Sequence, residues 1–134
     1  MAAVALTAPT PGAGAQMQWG TAGATIIAGQ VVYLDTATHT YKLADAGAVA
    51  TAAAAGFALT GASSGQPIKI LTGGALTATG LTAGEAYFLN TTAGSIGLYA
   101  DLTANTDYIT YVGTASTTTA MNVRIHASGV KIHA

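Results

Sequence analysis

From residue 24 onward the chain alternates short apolar runs with clusters of Gly, Thr, Ser, Asp and Asn. The runs are TII (25–27), QVVYLD (30–35), TYKLA (40–44), GFALT (56–60), PIKIL (67–71), ALTA (75–78), EAYFLN (85–90), SIGLYA (95–100), YITYVG (108–113) and NVRIHA (122–127). They are rich in β-branched and aromatic residues and recur every 8–12 residues or so, the pattern of a small all-β barrel or sandwich of about ten short strands.

Alternation assigns faces in two runs. Ile68 and Ile70 point one way and Lys69 the other; Val123 and Ile125 repeat this against Asn122, Arg124 and His126. VVYL (31–34) and AYFL (86–89) are apolar on both faces, as in a strand covered on both sides or one that lends a face to another subunit. In the last residues, Val130 and Ile132 alternate, predicting a closing strand in preference to one exchanged with a neighbour's sheet edge.

The runs fall into two copies. At one fixed offset Gly29 meets Gly84, Leu34 meets Leu89, Thr36 meets Thr91, Leu43 meets Leu98, Phe57 meets Val112, Lys69 meets Arg124 and Ile70 meets Ile125. Copy one covers about 20–73 and copy two about 74–129. A unit of about 50 residues buries too little surface to stand comfortably alone, so the two copies are expected to share one core in a single domain, 19–134.

Between paired runs, DTATHT (35–40) and NTTAGS (90–95) each open on an Asp or Asn able to bond the backbone two residues on, which predicts hairpin loops. ADAGAVATAAAA (44–55) is rich in alanine, but Gly47 and the absence of large apolar residues at helical spacing limit it to a single turn or an irregular crossover. Residues 1–18 hold Pro9, Pro11, Gly12 and Gly14 and show no period, so they read as an extended arm, a disordered tail in isolation or a strap across a neighbouring subunit. Met17 and Trp19, two apart, share one face of any strand there and are expected to plug the start of the core.

The composition is unusually poor in charge. Only 7% of the 134 residues are charged and the net charge is −1, whereas an ordinary domain carries about 25% charge and keeps itself soluble with it. Much of the surface is therefore expected to meet other protein. The basic residues Lys42, Lys69, Arg124 and Lys131 form no stripe for a phosphate backbone, so no nucleic-acid partner is expected. No secretory leader and no membrane helix are read, because the start lacks a basic region and the Ala-rich stretch is short and carries Asp45.

Catalytic and metal chemistry have few carriers. Cysteine is absent, and His39, His126 and His133 lack partners at metal-ligand spacing. Asp45 and Asp101 close equivalent hairpins and invite comparison with a calcium loop, but the closely spaced acids of such a loop are missing, which leaves loop capping. There is no nucleophile elbow or P-loop, and GASSG (61–65) lacks a strand-to-helix context. No enzyme activity, cofactor or metal is expected.

Laid out in this way, AGQVVYLDTATHTYKLADA, GFALTGASSGQPIKIL, LTAGEAYFLNTTAGSIGLYADL and YVGTASTTTAMNVRI resemble the small β-rich decoration, or cement, proteins on the heads of tailed bacteriophages. The resemblance covers nearly all of the chain after the arm. It implies a non-enzymatic virion protein on the outer surface of the capsid, bridging subunits of the major capsid protein. It also implies a homo-oligomer, trimer before dimer, with no membrane partner. Met17, Trp19, Tyr33, Tyr87 and Phe88 are the candidate interface residues, with a core role preferred to an interface role at each tyrosine. The main alternative is a fibre-associated or receptor module that binds carbohydrate, for which Tyr99 near Asp101 and Tyr108 near Asp107 would be the aromatic platforms. A surface-binding, ice-type reading of the Thr-x-Thr motifs at 36–38 and 77–79 would need a shorter constant period than this chain has.

Overall fold

The strand at the centre of the molecule contains a glycine pair that reads, in sequence, as a break. The computed structural model describes residues 6–98, 102 and 107–131. Its strands are β1 (Thr7–Pro11), β2 (Gln16–Thr21), β3 (Val31–Asp35), β4 (Thr40–Leu43), β5 (Ala54–Ala58), β6 (Pro67–Thr79), β7 (Ala86–Leu89), β8 (Ile96–Gly97), β9 (Tyr108–Ala115) and β10 (Ala120–Lys131). No helix occurs among the described residues, and none is long and apolar enough to cross a membrane. The ten strands form one curled antiparallel sheet, a half-barrel, in the order β4-β3-β5-β6-β10-β9-β7-β8, with β1 and β2 also paired to β6.

That order is the duplication written in hydrogen bonds. Under the shift that carries Gly29 onto Gly84, β3, β4, β5 and β6 become β7, β8, β9 and β10, so the sheet reads as one half and its reversed copy meeting at β6 and β10. The 13-residue β6 serves both halves. Leu71 pairs with Phe57 of β5 on one side and Met17 of β2 on the other; Gly73 pairs with Gln16 and with Arg124 of β10; Leu76 pairs with Pro11 of β1 and Met121 of β10. One side of β6 is therefore lined by β2 and then β1, and the other by β5 and then β10.

Runs 67–71 and 75–78, expected as two strands, are thus one. The glycines between them make this possible. Gly74 has φ +92°, and a Cβ there would overlap the Gly14 carbonyl oxygen and stand 2.7 Å from the Ala15 Cα. Beside it β6 advances two residues for one of β2, between Gln16 and Met17. The resulting bulge changes the parity of the strand.

Two apolar clusters follow. Ala22, Ile26, Val32, Tyr41, Ala58, Ala62, Ile68 and Ile70 fill the inside of the first half, where the curl brings Ala22 into a parallel bridge with Tyr41. In the second copy the equivalents of Ile26, Val32, Tyr41 and Ile68 are Leu81, Tyr87, Ile96 and Val123, all in the second cluster, and the equivalent of Ile70 is Ile125, packed against it. The two copies bury equivalent positions. The second cluster is larger because the outer face of the first half, Val31, Ala44, Ala52, Phe57 and Leu71, joins it. Its members from both copies make it a shared core, and β3, with Val31 in one cluster and Val32 in the other, is covered on both sides.

Main-chain bonds fasten the halves where that face is covered. The Gly94 N–H donates to the Ala44 carbonyl (2.7 Å) and its carbonyl accepts from Val31 (2.9 Å). Ala46 donates to Asn90 (3.0 Å), Tyr108 donates to Ala46 (2.8 Å), and the buried Thr110 hydroxyl donates to the Ala52 carbonyl (2.6 Å). The hairpin loops form as their sequences suggest, with Asp35 Oδ1 accepting from Ala37 N (3.0 Å) and Asn90 Oδ1 from Thr92 N (3.1 Å). The Ala-rich stretch makes turns, one of them closed by Ala52 N to Ala48 O. TII (25–27) is not a strand: Ile26 makes an isolated bridge to Ala62 while Ile27 faces solvent.

Candidate interaction surface

The part of the arm expected to stand free lies along β6 instead. Between β1 and β2, the Gly12 N–H donates to the Ala75 carbonyl (2.8 Å), so residues 7–21 run beside β6 with a short kink. Met17 and Trp19 do share one face of β2, but the register turns that face outward. Met17 stands beside Leu71 and Trp19 beside Lys69, on the outer side of the first half, and they remain 41% and 64% exposed. They do not plug the core. Leu71 itself is covered by the second half; Met17 and Trp19 lie just past the edge of that cover.

The Lys69 ammonium sits 5.7 Å from the centre of the Trp19 ring, an attraction worth about 0.5–1 kcal/mol at an exposed site. On the inner side of the same strand, the Gln18 amide donates to the Tyr41 hydroxyl. The closest approach in this region is that of Gly20 to the Tyr41 ring, where a Cβ would overlap a ring carbon.

Of the other candidate residues, Tyr33 is half-buried against the shared core and stands opposite Lys42 on β4. Phe88 is half-buried on the outer face of the second half, edge-on to Tyr111 with ring centres 5.7 Å apart. Tyr87 departs from the interface role: it is 1% exposed, the largest fully buried side chain, and its hydroxyl accepts from Thr82 N (2.8 Å), so it has no surface to offer a subunit. Alternation separates the neighbours, since Tyr87 and Leu89 face the core and Phe88 faces out. The sequence of AYFL does not say which parity is inside.

Charge is sparse on this surface, and the β3–β4 hairpin brings two of its charged groups together. Lys42 Nζ donates to Asp35 Oδ2 at 2.7 Å across the β3–β4 hairpin. That hydrogen bond, helped by the Ala37 N–H, holds the Asp35 carboxyl below its ordinary range, and the same bond raises Lys42. Asp45 caps its own loop, its Oδ1 accepting from Gly47 N (2.9 Å) and from the Thr51 hydroxyl (3.1 Å). Its copy-two counterpart, Asp101, lies outside the described residues, as do Tyr99 and His133. Asp107 is buried and does not flank Tyr108 on the surface as a sugar platform would need. His39 sits at the hairpin tip and His126 on the exposed face of β10. Among the described residues there is no group of three His, Asp or Glu placed to hold a metal ion, and no concave pocket.

No protein-family model and no curated protein matches the chain.

Proposed function

We propose that the chain is a non-enzymatic structural protein of a phage head, bound to the outside of the assembled shell and stabilising contacts between major capsid subunits. One observation carries the reading: only 7% of the 134 residues are charged, so the sheet presents an almost neutral surface. A surface of that kind is poorly suited to free solution and well suited to contact with protein. Binding the assembled lattice in preference to loose subunits stabilises the lattice by mass action. Many modest contacts repeated over a shell supply avidity without a deep pocket.

The test is the composition of purified particles of the phage whose genome encodes the chain. The reading predicts the chain at many copies per particle, outside the shell and open to surface labelling in intact heads. Its absence from particles, or its presence only at the tail, contradicts the reading.

A further inference from the structure

A sheet with open edges invites pairing with other chains, and most edges of this one are blunted. β4 carries Lys42 and is met at Tyr41 by Ala22; β1 carries Pro9 and Pro11; β8 is two residues long. Past Arg124, β10 kinks at Gly129 (φ 69°) and carries Lys131 in its sequence. Lysine, proline, brevity and kinks are the usual guards of an edge. β2 carries none of them within Gln16–Thr21; past its last residue Ala22 bridges Tyr41 of β4, which leaves the free edge at residues 16–20. Its sequence QMQWGT contains no proline and no charge, and among the described strands it pairs with β6 alone.

We propose that β2 pairs antiparallel with β2 of a second copy of this chain, about a two-fold axis at Gln18. The strand is self-complementary in that register. Met17 then stands opposite the partner's Trp19, and Trp19 opposite the partner's Met17, as a closed two-fold contact requires. Both pairs lie on the outer face, where cross-strand neighbours come within about 4.5–5.5 Å and a thioether packs well against an aromatic ring. The row Phe57, Leu71, Met17 found within one chain continues into the partner's Trp19 and Lys69. The two large apolar groups that a single chain leaves bare on this strand are covered, and no like charges are brought face to face on β2. Such a contact closes at two copies, so the assembly is a dimer. The inference does not depend on the shell-binding reading.

The test is the mass of the full chain in solution across a wide concentration range, together with single-cysteine cross-linking, which the absence of native cysteine makes clean. The expected mass is twice the 13.1 kDa of the chain, and Trp19→Lys shifts the equilibrium to the monomer. An antiparallel pair centred on residue 18 places the two Cα atoms about 4.5–5.5 Å apart, within disulfide range. Gln18→Cys is therefore expected to oxidise to a linked dimer at least about tenfold faster than Thr117→Cys, on an exposed turn. Because Gln18 bonds Tyr41, a mixture of Met17→Cys and Trp19→Cys chains serves as a second probe, with cross-linking between the two variants expected. A monomer at every concentration, a trimer, a dimer that survives Trp19→Lys, or cysteines at 17–19 that link no faster than the control each overturns the proposal.

Discussion

Val32 and Tyr87 occupy the same position in the two halves of the sheet, on the inner faces of the equivalent strands β3 and β7. The valine fills a small interior bounded by the first half alone. The tyrosine fills the larger core to which both halves contribute.

Truncating the two should therefore have unequal costs. Tyr87→Ala is expected to destabilise by about 3–5 kcal/mol, the range for a large buried aromatic, and Val32→Ala by less. Tyr87→Phe should cost only about 0.5–1.5 kcal/mol, since it removes one hydrogen bond, to Thr82 N, and keeps the ring. Urea denaturation of the three variants checks the order.

Gly74 is the second sensitive point. Its positive φ and its close approach to the Gly14 carbonyl leave no room for a methyl group, because the atoms met are main chain. Gly74→Ala is expected to cost more than about 2 kcal/mol and to loosen the arm. Faster proteolytic cleavage within 12–15 than in the wild type would show the second effect; unchanged stability would count against the bulge as described.

The hairpin tips offer a substitution in the opposite direction. His39 has φ 56°, a strained conformation for a side chain, and its counterpart in the second copy is Gly94, with φ 78°. His39→Gly should stabilise the chain by up to about 1 kcal/mol. Gly94→Ala should do the reverse, as a Cβ there would press on the Gln30 side chain at 3.1 Å where the halves are fastened. Thermal unfolding of the pair tests both signs.

The Asp35–Lys42 pair gives a pH dependence with a defined direction. Asp35 is lowered from 3.8 in the folded state, so its contribution is present above that value and is lost as the pH falls through the lower folded pKa. Lys42 is raised from 10.5, so its contribution is present below that value and is lost as the pH rises through the higher folded pKa. Unfolding free energies measured from pH 2 to 5 should show a shallower acid loss in Asp35→Asn than in the wild type. The pair is at the surface, and high salt should shrink the difference.

Much of the fold was legible in the sequence because the duplication compares each strand with a second version of itself. Ile68 and Ile70 against Lys69, and Val123 against Asn122 and Arg124, alternate clearly enough to set the inner face. The arm was not legible in the same way. The second-copy equivalent of β2 is the glycine-containing middle of β6, LTGGAL beside QMQWGT, and the two share no side-chain pattern although each lines a closing strand of its own half. Gly73 and Gly74 suggested a break because a glycine pair serves a turn and a bulge equally well. The spacing of Met17 and Trp19 puts them on one face, but which face depends on a register slip that no local rule supplies. The same holds for Tyr87 and Phe88, adjacent residues with opposite fates.

The proposed role is binding to an assembled shell and not to its loose subunits. The most direct measurement is co-sedimentation of the purified protein with heads from which it has been removed, compared with dissociated major capsid protein. Saturable binding to the heads is expected at a fixed ratio to capsid subunits, with a higher temperature of head rupture on add-back and weaker binding by Trp19→Lys through lost bivalency. Failure to bind heads, or equal binding to dissociated subunits, would contradict it.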